Sequence, residues 1–248
     1  MTSEKQKDSR RFSHGALEEY REYHSPWLSV IAKSQNKEIL NLIKLKSIYS
    51  VFECGCGIGD MFGELAIPTR FVCGCDISLG SLNVARLTNP TVHLVLADGE
   101  NLPLGDEHFD LVVIKGALHH FQNVRLSIEQ IKRVLRKNGL VIIVEPSGDS
   151  HFMRSMRHFL SKEHERFFES KCLLKLLSDV GFEPVNVSRT GYLSFALGFL
   201  FRKRLSKLVR PALLWRGLSI VMLSTDKIFL LPFLQKHSLG IIVVSRKL

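Results

Sequence analysis

The sequence of 248 residues is 45% hydrophobic and carries a formal net charge of +10. This length suits one large domain, or one domain with an insertion, and the apolar fraction is sufficient for a sizeable core. The five cysteines are an odd number and no disulfide framework is needed at this length, so a reducing compartment is indicated. Residues 1–11 are polar and lack the apolar core of a signal peptide, which predicts a cytoplasmic protein.

The N-terminal part of the chain is predicted to be helical. Residues 15–45 read as two helices divided at Pro26, because proline is tolerated in the first turn of a helix. Tyr20, Tyr23 and Trp27 give this otherwise polar stretch many aromatic side chains. One interpretation is an amphipathic helix that packs on the edge of a sheet.

From residue 48 onward, strand-like and helix-like stretches alternate, which is typical of an α/β fold with a mostly parallel sheet. The predicted strands lie near residues 48–53, 71–75, 92–96, 109–114, 140–144, 182–188 and 240–245. The predicted helices lie near residues 58–66, 79–87, 124–136 and 163–180. Asn138-Gly139 and Gly181 are expected to cap the last two helices.

A glycine-rich turn follows the first predicted strand. Glu53 ends the strand, and Gly55, Gly57 and Gly59 follow at alternate positions before a helical stretch. Glycines allow positive φ and close approach of a ligand, as at nucleotide sites of α/β sheets. The dinucleotide fingerprint has a different glycine spacing, and a carboxylate suits an amine or sulfonium better than a pyrophosphate, so a dehydrogenase is disfavoured. Asp76 ends the second strand, where a carboxylate can reach ribose hydroxyls.

Six motifs in this order resemble those of the class I S-adenosylmethionine-dependent methyltransferases, and specifically their small-molecule, methyltransferase type 11-like branch. They occupy residues 53–59, 74–78, 97–103, 109–112, 117–121 and 134–140. The resemblance covers about residues 45–188. It implies a Rossmann-like, seven-stranded, mostly parallel sheet with an antiparallel last strand, and S-adenosylmethionine as the cofactor. It says little about the methyl acceptor.

The resemblance also assigns the residues around the methionine and ribose parts of the donor. Gly55, Gly57 and Gly59 would shape the turn there. Glu53 would orient that turn and, through water, meet the donor amino group. Asp76 would accept hydrogen bonds from both ribose hydroxyls.

Further residues are assigned to the adenine and the donor amine in the same way. Ile77 would lie against the adenine, and Asp98 would accept from its amino group near the Gly99 N–H. The carbonyl of Lys115 would face the donor amine. A lysine departs from the small or polar residue common in the family, and its side chain either turns outward or contacts an anionic acceptor.

Two histidines lie where the resemblance places the acceptor pocket. His119 or His120 could take a proton from an acceptor hydroxyl, because imidazole titrates near neutral pH. The alternative is that one of them packs structurally beneath the donor site. Adjacent helical residues point about 100° apart, so at most one is expected to face the acceptor. Glu145 at the same rim is a weaker candidate, and transfer to a strong nucleophile needs no base.

Two cysteine pairs invite comparison with a zinc site. Cys54-x-Cys56 and Cys73-x-Cys75 could supply four thiolates. Structural zinc sites favour longer spacers within each pair, and these positions already belong to the donor turn. Small buried side chains explain the cysteines better, so no metal site is expected.

The chain is predicted to have four parts. Residues 1–45 form an N-terminal tail with lid helices, and residues 46–189 form the methyltransferase core. Residues 190–238 form a basic hydrophobic helical insertion, and residues 239–248 form the final strand of the sheet. The resemblance places the N-terminal helices as a lid over donor and acceptor, and packing on the sheet edge stays the alternative.

The insertion is the basic part of the chain. Residues 199–248 contain ten basic residues and one acidic residue. The longest uncharged run, residues 191–201, is shorter than the roughly 20 apolar residues of a membrane-spanning helix. Beyond it, basic and apolar side chains separate onto two helical faces, which favours contact with an anionic membrane surface or capture of a lipid-linked acceptor. The alternative is a helical cover over the acceptor pocket.

Together these features predict a methyltransferase that acts on a small-molecule or lipid-linked acceptor, in the cytoplasm and peripheral at a membrane. Two other interpretations stay open. One is a non-catalytic methyltransferase-like module that binds partners or membranes, and the other is a nucleic-acid methyltransferase. The basic insertion favours the latter, but no Asn/Asp-Pro-Pro-aromatic motif is present and residues 145–147 match it poorly. Nucleic acid is therefore disfavoured as a partner.

Overall fold

The computed structural model describes residues 48–65, 71–151, 166–190 and 240–248, with the isolated positions 5, 6, 15, 16, 35, 36, 39–41, 43, 69, 154 and 238. Apart from these isolated positions, the predicted lid helices and the basic insertion lie outside the described residues, and both stay predictions. No helix in the described part of the chain is long and apolar enough to cross a membrane.

A single seven-stranded sheet forms the centre of the described fold. Its strands are β1 (Ser50–Cys54), β2 (Phe71–Asp76), β3 (His93–Leu96), β4 (Phe109–Lys115), β5 (Leu135–Pro146), β6 (Phe182–Thr190) and β7 (Gly240–Lys247). Their spatial order is β3-β2-β1-β4-β5-β7-β6. The first five strands pair in parallel, whereas β7 lies antiparallel between β5 and β6. The predicted Rossmann-like sheet with an antiparallel last strand is confirmed.

Helices cover both faces of this sheet. Within the described residues they are α1 (Phe62–Leu65), α2 (Leu79–Thr88), a short 3-10 helix (Leu118–His120), α3 (Val124–Val134) and α4 (Ser170–Val180). On one face, apolar residues of α3 and α4, such as Ile128 and Leu177, pack in one buried cluster with Phe52. On the other face, Phe62 of α1 packs with Val51 and with the isolated N-terminal residues 39 and 43.

The end of α3 differs from the prediction. The helix ends at Val134, and Leu135 already pairs with Phe109 as the first residue of β5. Asn138-Gly139 is therefore not a helix cap, and that prediction is wrong. Asn138 has a φ of 63° where the pairing of β4 with β5 shifts register. Asparagine tolerates this left-handed conformation, so the same residue type serves a strand irregularity as readily as a helix end.

Helix α4 is shorter than predicted but ends where expected. It begins at Ser170 rather than near residue 163, and just before it Phe168 forms a bridge with Ser147. Gly181 caps the helix with a φ of 98°, and its N–H donates to the Leu177 and Ser178 carbonyls. This left-handed glycine confirms the predicted cap.

Candidate active site

A cavity of about 440 Å³ lies at the carboxyl ends of β1, β2 and β4. The strand order reverses between β1 and β4, which is where open α/β sheets bind ligands. Ten of the eleven predicted site residues line it, namely Glu53, Gly55, Gly57, Asp76, Ile77, Asp98, Gly99, Lys115, His119 and His120. Gly59 is not part of the cavity wall.

The turn after β1 requires glycine for conformation and for space. Gly55, Gly57 and Gly59 have φ values of 73°, 50° and 75°, which side chains rarely adopt. A Cβ atom on Gly55 would lie 2.3 Å from the Cβ of Ala117. A Cβ atom on Gly59 would instead lie 2.6 Å from the ring of Phe62 in α1. Gly59 therefore serves helix packing, while the other two glycines line the cavity.

Asp76 is held in place by the backbone on both sides. Its Oδ2 accepts the Gly57 N–H at 2.8 Å, and its Oδ1 accepts the Ser78 N–H at 2.8 Å. Burial raises the pKa of Asp76 above its ordinary value, although the N–H groups of Ser78, Gly57 and Ile77 favour the ionised form. Two oxygens with further lone pairs thus remain at the wall of the cavity, as a ribose-binding carboxylate requires.

Glu53 is almost completely buried, with 2% of its surface exposed. Its Oε2 atom has no hydrogen-bond partner among the described residues, although it lies beside the cavity. Burial raises the pKa of this carboxyl well above its ordinary value, the negative charge of Asp60 raises it further, and Lys115 opposes the shift. A buried carboxyl of this kind is stabilised by a cationic ligand group.

The side chain of Lys115, at the cavity wall, pairs with two polar side chains. Its Nζ donates to Asp60 Oδ2 at 2.6 Å and to Asn36 Oδ1 at 2.9 Å. The side chain is only 8% exposed, so it does not turn outward. Asp60 and Asn36 are not among the predicted site residues, because no local motif links them to a lysine so distant in the chain.

Three unpredicted residues surround Asp98 and Gly99, the residues that the resemblance assigns to the adenine. The Nζ of Lys5 lies 2.6 Å from Asp98 Oδ2 and 2.8 Å from Glu100 Oε2. Glu100 also accepts backbone N–H groups from the segment before α3 through its Oε1 atom. The ring of Phe121 covers Gly99, where a Cβ atom would lie 2.7 Å from the ring. Gly99 is thus a packing requirement as well as part of the wall.

The two histidines lie side by side at the wall of the cavity. Their ring centroids are 4.0 Å apart, and both line the cavity, while the expectation that at most one faces the acceptor stays a prediction. The short 3-10 helix, rather than an α-helix, brings them together. The Nδ1 of His119 lies 2.6 Å from Glu145 Oε2, and the Glu145 side chain is completely buried. Glu145 therefore contacts a histidine and does not itself line the cavity.

The paired cysteines are buried beside the donor turn. The sulfurs of Cys54 and Cys75 are 3.9 Å apart on neighbouring strands. Burial raises the pKa of Cys73 to about 12 and that of Cys56 well above its ordinary value. Neutral thiols are poor metal ligands. In the part of the chain that the structure describes, no group of three or more His, Cys, Asp or Glu side chains could hold a metal ion.

Comparison with known proteins agrees with this geometry. Residues 52–143 match the methyltransferase domain family Methyltransf_11. A demethylmenaquinone methyltransferase of Corynebacterium kroppenstedtii is 36% identical over 95 residues, which span 38% of this chain and 41% of that protein. A tRNA (carboxymethyluridine(34)-5-O)-methyltransferase of Saccharomyces cerevisiae is 33% identical over 100 residues, which span 40% of this chain and 35% of that protein. The chain thus spans less than half the length of these two relatives.

The fold is also found in solved structures of methyltransferases. The crystal structure of an S-adenosylmethionine-dependent methyltransferase from Thermotoga maritima superposes with a TM-score of 0.67. It is 19% identical, and the superposition covers 97% of this chain and 99% of that one. The sequence match over residues 52–143 and the shared fold support a class I S-adenosylmethionine-dependent methyltransferase of the type 11 kind. The cavity fits this donor, because Glu53 offers to a cationic group a buried acceptor that has no partner among the described residues.

Proposed function

We propose that this chain transfers the methyl group of S-adenosylmethionine to a small-molecule acceptor with a weakly acidic hydroxyl group, such as a hydroquinone. The observation that carries this proposal is the contact between His119 and the buried Glu145 carboxyl at the cavity. Positioning alone accelerates transfer to a strong nucleophile, whereas a neutral hydroxyl must also lose a proton. A histidine held by a carboxylate supplies that function.

Glu145 sets the tautomer of His119. Its Oε1 accepts the N–H groups of Ala117 at 3.1 Å and of Leu118 at 2.7 Å. Its Oε2 lies 2.6 Å from Nδ1 of His119, and because a carboxylate can only accept, this contact favours a proton on Nδ1 and makes Nε2 the basic nitrogen. Glu145 is therefore a positioning residue. His120 is exposed, and we assign the base to His119 because its orientation is held.

In the proposed reaction the acceptor hydroxyl proton moves to Nε2 of His119. The electron pair that this leaves on the hydroxyl oxygen forms a bond to the methyl carbon. The bond between that carbon and sulfur breaks, and its electrons stay on sulfur to give S-adenosylhomocysteine. Glu145 stabilises the imidazolium, as a carboxylate does in other histidine–carboxylate pairs.

The chemistry of the cavity wall supports an aromatic acceptor. Pro146, which follows Glu145 in the chain, lines the same cavity as the histidines and offers apolar surface to a flat ring. The Corynebacterium relative is named for demethylmenaquinone, a quinone-related small molecule. The second candidate acceptor is tRNA, because the yeast relative is named for it and residues 199–248 are strongly basic.

A labelled-methyl assay tests the proposal. The full chain is incubated with methyl-labelled S-adenosylmethionine and a short-chain demethylmenaquinol, its dimethyl ether, or unmodified tRNA. We expect label in the quinol and none in the ether, which is matched in shape but has no acidic hydroxyl. Equal labelling of quinol and ether would contradict proton removal, and label only in tRNA would favour the second candidate. Binding of S-adenosylhomocysteine without transfer to any acceptor would favour a non-catalytic module.

A second proposal is that residues 190–238 rest on an anionic membrane surface. Its support is the sequence pattern, in which Lys203, Arg204 and Lys207 are predicted to share one helical face. Each basic residue near an anionic leaflet contributes about 1 kcal/mol of binding free energy. Pro211 is expected to kink or split the helix. The alternative is a cover over the acceptor pocket.

Cosedimentation with anionic vesicles separates these alternatives. We expect binding at low salt that falls with added salt and with the triple change of Lys203, Arg204 and Lys207 to Glu. The matched control changes Lys137, Lys171 and Lys175 to Glu, since these exposed lysines lie on the described core. Equal loss of vesicle binding in both triple variants would mean that binding depends only on the net charge of the protein, which would contradict a specific role of residues 190–238. If the wild-type protein stays in the supernatant at low salt, the membrane proposal is contradicted and the cover over the acceptor pocket is favoured.

A further inference from the structure

Glu53 and Lys115 carry opposite charges and line the same cavity. Each has a hydrogen-bonding position that its contacts in the described structure do not use. The Oε2 atom of Glu53 has no partner among the described residues. The Nζ of Lys115 carries three N–H donors, and its two contacts in the described structure are with Asp60 and Asn36. One acceptor on a carboxyl and one donor on an ammonium group therefore remain at the same cavity.

The sheet register places these two groups on the same side. Glu53 of β1 lies beside Val113 of β4, and Lys115 follows Val113 by two residues. Because side chains alternate along a strand, Lys115 points to the same face as Val113 and therefore to the face of Glu53. By the same argument Asp76, two residues after Gly74, lies on this face as well. Burial raises the pKa of Glu53 and the positive charge of Lys115 opposes that shift, in agreement with their shared face.

We propose that the side chain of Lys115 recognises the carboxylate of the methyl donor, on the same face of the sheet as the contact of Glu53 with the donor ammonium group that the family resemblance implies. This inference rests on the use of S-adenosylmethionine proposed above. It gives the lysine a role through its side chain, whereas the family resemblance implies only a role for its backbone carbonyl. The two groups select a zwitterion, so a donor analogue lacking either charge leaves one of them without its ligand partner.

Asp60 has a separate role in this arrangement. It holds the Lys115 ammonium at 2.6 Å and compensates its charge when no ligand is bound. Asn36 fixes the same ammonium from the N-terminal part of the chain at 2.9 Å. These two contacts restrict the side chain to the cavity wall, so the lysine is oriented before a ligand binds. Such preorganisation lowers the entropic cost of binding.

Calorimetry with two ligands tests the proposal without an activity readout. The ligands are S-adenosylhomocysteine and its decarboxylated analogue, which keeps the amine but lacks the carboxylate. Wild-type protein is expected to bind the analogue about 10- to 100-fold more weakly, the size expected of a charged hydrogen bond. In Lys115→Met this preference should disappear, because affinity for S-adenosylhomocysteine falls while affinity for the analogue is unchanged. Glu53→Gln should lower the affinity for both ligands and keep the preference for S-adenosylhomocysteine over the analogue.

Two further variants protect the test against folding effects. Asp60→Asn retains the ammonium and should retain the preference for the carboxylate-bearing ligand. The double variant Lys115→Met with Asp60→Asn leaves neither member of this ion pair without its counter-charge and should still lose the preference. Equal weakening of both ligands in Lys115→Met would make the lysine a purely structural partner of Asp60 and would overturn the inference. No binding of S-adenosylhomocysteine by wild-type protein would instead contradict the proposed function.

Discussion

Replacing His119 with alanine is expected to lower the turnover of methyl transfer by about 10²–10⁴-fold, the usual contribution of a general base. Affinity for S-adenosylhomocysteine should stay unchanged, because the hydrogen bonds of Asp76 to the donor turn do not involve His119. Single-turnover kinetics with the demethylmenaquinol acceptor measures the first quantity, and calorimetry measures the second. A loss of turnover without a loss of affinity distinguishes a role of His119 in proton transfer from a role in donor binding.

Two related variants serve as controls for this result. His120→Ala should retain most of the turnover, since the described contact with Glu145 belongs to His119. Glu145→Gln keeps the shape of the side chain but removes its charge, so it should slow transfer by releasing the tautomer of His119. Full turnover in both histidine variants would leave positioning of donor and acceptor as the whole mechanism.

The donor turn is predictable from the sequence because its determinants are local. Glu53, Gly55 and Gly57 lie within a few residues of one another, and Asp76 follows at the distance set by one helix and one strand. Positive φ at the glycines requires the same residue types wherever this turn occurs. The structure accordingly brings all four residues to the cavity.

The charged pairs are not predictable in the same way. Lys115 and Asp60 are 55 residues apart, and His119 and Glu145 are 26 residues apart. Each pair depends on which strands become neighbours and on their register, so it appears only once β1, β4 and β5 are placed side by side. Lys5 is a stronger case, because its contact with Asp98 joins residues 93 positions apart.

Asn138-Gly139 shows a different limit. The same dipeptide occurs at helix ends and at strand irregularities, because both require a residue that tolerates positive φ. Only the pairing of Leu135 with Phe109 decides between them, and that contact is again a tertiary one. Local sequence therefore establishes that the backbone turns here without establishing which element it interrupts.

Calorimetric titration of wild-type protein and Asp76→Ala with S-adenosylhomocysteine tests the central claim, donor binding at the turn after β1, most directly. The substitution leaves the ribose hydroxyls without their acceptor, so binding should weaken by about 1–3 kcal/mol, or about 5- to 150-fold. Asp106→Ala is the matched control, because this side chain is 71% exposed and lies away from the cavity wall. A folded Asp76→Ala variant that binds S-adenosylhomocysteine as tightly as wild type would contradict the claim.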